Sequence, residues 1–203
     1  MIKNFIEKSW LLIFASLGFG LLLAGTNEFL GPKIIEQQKK KFNDLAGAMV
    51  QGAESFESVD PNGLDIISVK GKPAKVDVKK GVNKEGETIG WAFIAEGAGF
   101  ADKIQIVIGV DAKFEKLLGF GVLLSNETPG FGDKIGKPEH PFVTQFPGSP
   151  VQELTLLKIG DYKKIDAEII AISGATITSD AIVAIFNTYI DQVKTILQEE
   201  GLL

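Results

Sequence analysis

The chain has 203 residues, 45% hydrophobic and 23% charged, a composition that suits a folded protein with one core and an appendage. A net charge of -5 provides no basic face for phosphates and argues against nucleic acid as a partner. The absence of Cys excludes disulfides, iron–sulfur clusters, Cys-ligated zinc and thiol catalysis, and a single His argues against His-based sites. All 21 basic residues are Lys. We therefore expect no metal site, no catalytic side chain, and any redox chemistry to come from an organic cofactor.

An uncharged apolar segment lies near the N-terminus, at residues 9–27. As a helix it spans roughly 28 Å, close to the hydrocarbon thickness of about 30 Å. Trp10 at one end suits a membrane interface. These features predict a membrane anchor at residues 1–30. A signal peptide with Lys3 and Lys8 as its basic part remains an alternative, although cleavage after Ala24 lacks the usual small residue three positions earlier. A buried core helix is the third interpretation.

The region at residues 31–87 combines one helix with short strands. After Pro32, apolar residues recur at helical spacing as far as Gly52, which predicts an amphipathic helix. Apolar runs at residues 64–69 and 74–78 predict two short strands. We assign this region to the N-terminal part of the soluble domain.

The region at residues 88–203 has the strongest strand pattern, because apolar and polar residues alternate. It is predicted to contain strands at 88–95, 103–110, 114–124, 151–159 and 165–172, and a Pro- and Gly-rich loop at 125–150. The second and third strands form a hairpin. Thr178 or Ser179 is expected to cap a last helix with one apolar face. The predicted fold class is α+β: a mainly antiparallel sheet with flanking helices, preceded by one N-terminal transmembrane helix.

The segment after the hairpin has the composition of a ligand-binding loop. Gly130 and Gly132 allow close approach of a flat ligand, Phe131 offers an aromatic surface, and Glu127 and Thr128 offer polar edges. Taken alone, an ordinary Pro-Gly turn is the simpler interpretation.

A second segment runs from a strand directly into the last helix. It contains Ser173, Gly174, Ala175, Thr176 and Thr178, so three hydroxyls surround the helix N-terminus. Free N–H groups and the positive end of the helix dipole suit a phosphate without a basic side chain. An ordinary small-residue turn explains the segment equally well when it is taken alone.

Together the two segments resemble the FMN-binding domain family of the Rnf and sodium-translocating NADH:quinone reductase complexes, in particular the G subunit of Rnf. That family has a Glu-Thr-Pro-Gly-hydrophobic-Gly loop, matched by residues 127–132, and Ser/Thr-Gly-Ala-Thr before a helix, matched by residues 173–176. With the anchor, the resemblance extends over most of the chain.

The resemblance implies FMN as the cofactor, with its phosphate esterified to Thr176 by a separate flavin transferase. The implied site contains Thr176, Ser173, Gly174, Ala175, Thr178, Glu127, Thr128, Gly130, Phe131 and Gly132. It also implies a single-pass protein of the inner (plasma) membrane, with the flavin domain on the extracytoplasmic side. Its partners are the membrane and the other subunits of a redox complex.

The implied function is an electron-transfer subunit of an Rnf-type ion-translocating ferredoxin:NAD oxidoreductase, rather than a stand-alone enzyme. An anchored FMN carrier of another respiratory complex, such as the sodium-translocating NADH:quinone reductase, and a non-redox tethered binding module remain alternatives. One position departs from the family pattern, since Ile170 stands where Asp is usual. Because the transferase recognises that Asp, the departure bears on the efficiency of attachment.

Overall fold

A single long helix, α1, forms the N-terminal part of the computed structural model, which describes the backbone of residues 2–203 and the side chains from residue 9 onward. Helix α1 spans Ile2–Met49 and contains Pro32 without interruption. The anchor and the predicted amphipathic helix therefore form one continuous helix, although an interior proline removes a backbone donor and crowds the preceding turn. The side chains of Lys3 and Lys8, invoked for the signal-peptide alternative, lie outside the described residues.

Apolar side chains of α1 are exposed along its predicted membrane segment. Among the described residues, Ser9–Met49 is the one stretch of helix long and apolar enough to cross a membrane, and none of its most apolar window is buried. A fully exposed apolar helix is unfavourable in water, whereas lipid accommodates it. The long N-terminal apolar helix that the sequence predicted is confirmed.

The chain divides into two compact units, Met1–Lys41 and Phe42–Leu203. The predicted domain boundaries after residues 30 and 87 stay predictions.

The second unit is built on a five-stranded antiparallel sheet. The strands of the unit are β1 Ser55–Ser58, β2 Leu64–Ile67, β3 Pro73–Val76, β4 Val78–Val82, β5 Thr88–Ala98, β6 Lys103–Asp111, β7 Leu117–Leu124, β8 Thr155–Leu157 and β9 Glu168–Ile170. The order in the main sheet is β1-β4-β5-β6-β7, and β2-β3 forms a separate pair. Helix α2, Thr176–Glu199, follows β9 and closes the domain.

Both faces of the sheet are covered, although alternation along β6 predicts one buried and one exposed face. Ile106 and Ile108 join the main core with Ile185 and Phe186 of α2, whereas Val107 faces the smaller cluster with Phe42 and Ala46 of α1. Each fully buried side chain of this size stabilises the fold by about 1.5–3 kcal/mol. The α+β prediction, including the β6–β7 hairpin, is confirmed.

Two predicted strands are much shorter than expected. In place of strands at 151–159 and 165–172, the structure has the three-residue strands β8 and β9, which pair in parallel. The side chain of Gln145 limits β9: its Oε1 accepts from the Ile170 N–H at 2.7 Å, and its Nε2 donates to the Ile170 carbonyl at 3.1 Å. The buried side-chain amide of Gln145 thus makes the backbone hydrogen bonds at Ile170 that a neighbouring strand would otherwise make.

The predicted loop at 125–150 is more ordered than its composition indicates. It contains the 3₁₀ helices Gly132–Gly136 and Val143–Gln145. Phe142 and Phe146 are fully buried and contact the rings of Phe120 and Phe186 at centroid distances of 4.7–6.5 Å. The C-terminal half of the loop is therefore part of the core, and Phe146 contacts Phe186 of α2.

Candidate functional site

The junction between β9 and α2 is a tight turn held by backbone and hydroxyl groups. Gly174 has a φ of +81°, a conformation that L side chains rarely adopt. The Ala175 N–H donates to the Ile172 carbonyl at 3.0 Å. The Ser179 hydroxyl accepts from the Ile172 N–H and donates to the Ala175 carbonyl, both at 3.0 Å. These bonds fix the point at which the helix begins.

Helix α2 begins at Thr176, and its N-cap residue Ala175 makes no side-chain capping bond. The predicted capping by Thr178 or Ser179 is wrong, because both hydroxyls are buried inside the first turn and bond elsewhere. The first N–H groups of a helix have no partner within it. The uncapped N-terminus therefore presents donors and the positive end of a dipole to an incoming anion.

The hydroxyls at this junction differ in exposure. Thr176 and Ser173 are exposed, whereas Thr178 is 2% exposed. Thr176 thus combines an accessible hydroxyl with a position in the first turn of α2. Ile177 beside it is 60% exposed and offers an apolar surface.

The loop after β7 places a carboxylate inside and an aromatic ring outside. Glu127 is 6% exposed, and its Oε2 accepts from the Thr178 hydroxyl at 2.6 Å. Its Oε1 accepts from the Ala101 N–H at 3.0 Å. Phe131 is 53% exposed after a turn in which Gly130 has a φ of +78°. The loop is therefore bonded both to α2 and to the β5–β6 turn.

A second bond joins this loop to the β5–β6 turn at the surface. Asn126 Nδ2 donates to Asp102 Oδ2 at 3.0 Å. The pKa of Asp102 lies below its ordinary value, first because the Lys103 N–H donates to the carboxylate and then because Asn126 does. Both donors favour the negative form of Asp102, which is the form that accepts the bond from Asn126.

The three segments enclose a cavity of ≈ 420 Å³, a volume typical of sites for small organic ligands. The lining residues are Phe100, Glu127, Thr128, Phe131, Gly132, Gly174, Ala175, Thr176, Ile177 and Thr178. Eight of the ten predicted site residues line it; Ser173 and Gly130 do not, and they instead shape the turns. The structure thus brings together two segments that are far apart in sequence. Their contact with a cofactor stays a prediction.

Sequence reasoning missed two lining residues, Phe100 and Ile177. Phe100 lies between the strands predicted at 88–95 and 103–110, and Ile177 directly precedes the predicted helix cap. Both are large apolar residues among small or polar neighbours, 62% and 60% exposed respectively. An apolar side chain in such a position is the signal that would have identified them.

The glycines of the cavity allow the loop and α2 to approach each other more closely than larger residues would. A Cβ at Gly132 would lie 2.7 Å from Glu127 Oε2 and 2.8 Å from the Thr178 hydroxyl. A Cβ at Gly174 would lie 3.1 Å from the Phe131 ring. The cavity therefore depends on glycine at the contacts between the loop and α2.

Comparison with known proteins identifies the family. The family model of the FMN-binding domain matches residues 99–191. The G subunit of an ion-translocating oxidoreductase complex from Methanosarcina acetivorans is 34% identical over 159 residues, which cover 78% of this chain and 76% of the relative. The chain belongs to this family of G subunits. Its cofactor is FMN.

A second relative agrees with this assignment, and a solved structure shares the fold. The G subunit of the Na⁺-translocating ferredoxin:NAD⁺ oxidoreductase complex from Acetobacterium woodii is 31% identical, with 79% of this chain and 77% of the relative covered. The crystal structure of Shewanella oneidensis NqrC has a TM-score of 0.54 and 22% identity, and covers 68% of this chain and 72% of that one. The likeness to NqrC shows the fold alone. With the apolar helix, family membership supports a membrane-anchored protein.

The cavity fits FMN on its chemistry. No lysine lines the cavity, so a phosphate there depends on other donors. The uncapped start of α2 offers its backbone N–H groups. Phe100, Phe131 and Ile177 offer exposed apolar surface for the ring system. The glycines at residues 132 and 174 allow the loop and α2 to pack closely, which holds the two walls of the cavity in place.

Proposed function

We propose that this chain is the membrane-anchored electron carrier of an Rnf-type ion-translocating ferredoxin:NAD oxidoreductase, with FMN esterified through its phosphate to Thr176. One observation carries the attachment site: Thr176 has an exposed hydroxyl in the uncapped first turn of α2, at the wall of the cavity. The names of the relatives from M. acetivorans and A. woodii support the membership in an ion-translocating complex.

The residues of this chain bind and orient the cofactor. The Thr176 hydroxyl oxygen holds the phosphate as an ester, formed with net loss of one water, and the N–H groups of the first turn stabilise its negative charge. Phe131 and Ile177 would offer the ring their exposed apolar surfaces at the cavity wall. Bound FMN exchanges electrons one at a time, which suits a relay between other subunits.

The anchor and the attachment serve the same purpose. The anchor at residues 1–30 keeps the domain at the membrane, where the other subunits of the complex lie. A covalent bond prevents loss of FMN from a cavity that opens to solvent. We further propose that the flavin domain is extracytoplasmic and that a separate flavin transferase makes the ester.

Thr176→Ala is the direct test of the proposal. In cells that co-express the flavin transferase, the parent chain should gain the mass of one FMN less one water. Thr176→Ala should show no adduct, and Thr176→Ser should retain part of it because the hydroxyl stays in the first turn of α2. Intact-mass measurement of the purified proteins reads all three results.

Ser173→Ala is the matched control, since Ser173 is an exposed hydroxyl of the same segment that does not line the cavity. It should carry the same adduct as the parent. A Thr176→Ala chain that keeps the adduct would contradict the attachment site, whereas a parent without bound flavin of any kind would contradict the proposed function.

A further inference from the structure

Glu127 is the one charged residue among those that line the cavity. Its side chain is buried, and no ion pair in the described part of the chain joins it to a lysine. Two hydrogen bonds compensate for its burial, from the Thr178 hydroxyl and the Ala101 N–H. The carboxylate therefore places a negative charge at the cavity wall that no neighbouring side-chain cation neutralises.

The same carboxylate joins the three segments that form the cavity. Oε2 is bonded to the first turn of α2, and Oε1 to the β5–β6 turn. Two glycines make room for it: a Cβ at Gly99 would collide with Oε1, and a Cβ at Gly132 would lie 2.7 Å from Oε2. Bonds that a charged group accepts are stronger than neutral ones, so Glu127 fixes the position of the cavity walls.

We infer that Glu127 is a positioning and tuning residue of the flavin site: it holds the loop, the β5–β6 turn and α2 together through its two oxygens, and its negative charge makes the bound flavin harder to reduce. The inference rests on the proposed function, because it requires FMN in this cavity. It changes the role expected from the sequence, in which Glu127 offers a polar edge to the ligand.

The effect on reduction follows from electrostatics. Reduction adds an electron to the ring, and a nearby negative charge raises the energy of the product more than that of the oxidised form. Coulomb interactions are stronger in a partly buried site than in water, because the effective dielectric constant is lower. A carboxylate with no side-chain cation beside it therefore lowers the reduction potential of the flavin.

Glu127→Gln separates the charge from the bonds. Glutamine has the same shape; its amide oxygen accepts from the Ala101 N–H, and its amide nitrogen donates to the Thr178 hydroxyl, which is also an acceptor. Thr178→Val has the opposite effect, since it removes the hydroxyl bond and leaves the carboxylate in place. Glu139→Gln is the charge control, because Glu139 is an exposed loop residue outside the cavity.

The experiment measures two quantities for the parent and the three variants: the midpoint potential of the bound flavin by spectroscopic redox titration, and the thermal unfolding temperature of the flavin-free protein. We expect Glu127→Gln to raise the potential and leave the unfolding temperature near that of the parent. Thr178→Val should lower the unfolding temperature without raising the potential. Glu139→Gln should change neither quantity.

Two results would overturn the inference while the proposed function stands: equal potentials in Glu127→Gln and Glu139→Gln, or an equal rise in Thr178→Val and Glu127→Gln, which would assign the effect to geometry. If the flavin-free Glu127→Gln chain unfolds, this variant no longer separates the charge from the hydrogen bonds. The Thr178→Val variant then decides, because it keeps the charge and removes one bond. A raised potential in Thr178→Val would contradict the role of the charge. A parent that binds no flavin, read by intact mass and absorbance, would overturn both proposals.

Discussion

Two of the three segments that form the cavity differ in the side chains that they bury and expose. The junction at residues 173–178 exposes the hydroxyl of Thr176 and buries that of Thr178. The loop after β7 buries the carboxylate of Glu127 and exposes the ring of Phe131. The junction thus presents a hydroxyl together with the apolar side chain of Ile177, whereas the loop presents an aromatic ring and buries its polar group.

The two segments therefore have different roles: the junction supports attachment of the cofactor, and the loop determines the surroundings of its ring. Attachment requires an accessible hydroxyl and free N–H groups, both of which the start of α2 provides. The environment of a ring depends on apolar contacts and on a fixed nearby charge, which the loop provides. The Glu127–Thr178 bond is where the two parts meet, so changes on either side of it should have separable effects.

The largest effect is expected from Ile170→Asp, which introduces the residue usual in the family. Ile170 is 4% exposed, and Gln145 occupies its backbone N–H and carbonyl. A buried carboxylate without a cationic partner costs about 3–5 kcal/mol of unfolding free energy. Urea unfolding of the flavin-free protein should show this loss. The substitution disturbs the end of β9, which leads directly into the junction at residues 173–178.

Ile170→Val is the control for that change, with an expected loss of about 0.5–1.5 kcal/mol. If Ile170→Asp were as stable as the parent, the end of β9 would be open to solvent. The attachment side would then be less rigid than the structure indicates.

A smaller effect is expected from Gly132→Ala, which acts on the contact between the two segments. The added Cβ would crowd both partners of the Glu127–Thr178 bond. Crowding of this kind costs about 1–3 kcal/mol. We expect lower stability in urea unfolding and a smaller fraction of chains with bound flavin.

Gly136→Ala provides a matched control at the other end of the same 3₁₀ helix, where a Cβ would meet nothing within 4 Å. Its stability should stay within about 0.5 kcal/mol of the parent. Equal losses at both glycines would show that the 3₁₀ helix, rather than the crowded contact, is sensitive to substitution.

Much of this arrangement was predictable from the sequence. The alternation along β6 and the apolar face of α2 predicted the sheet and the helix that covers it, because local periodicity reflects burial directly. The glycines of the two segments indicated a ligand site, and eight of ten predicted residues line one cavity.

The exceptions arise from bonds between distant residues. The hydroxyl of Thr178 was expected to cap α2, but it donates a hydrogen bond to Glu127, 51 residues away. The strand expected at 165–172 ends early because the amide of Gln145 bonds the backbone of Ile170. No local pattern encodes either partner.

The smallest effect concerns His140 on the loop side, away from the cavity. Its pKa lies below the usual 6.5, first because of burial and then because of Lys134 and Lys137, whereas Glu139 acts in the opposite direction. Its Nδ1 accepts from the Phe142 N–H at 3.2 Å, a bond that protonation of Nδ1 would remove.

The sign of the pH dependence follows from this shift. Below about pH 6.5 the unfolded chain binds a proton that the folded chain resists, so stability falls as the pH falls from about 7 toward about 5.5. His140→Gln should remove this slope, since the chain has one His. Urea midpoints at several pH values measure it, and an unchanged slope in His140→Gln would show that His140 does not cause it.

The most direct test of the central claim is to locate the flavin on the parent chain. Trypsin cleaves after Lys164 and Lys194, so one peptide contains the whole junction and the start of α2. Fragmentation of the fluorescent peptide by tandem mass spectrometry should place the mass of FMN less one water on Thr176. The same mass on Ser173, Thr178 or any other residue would contradict the account.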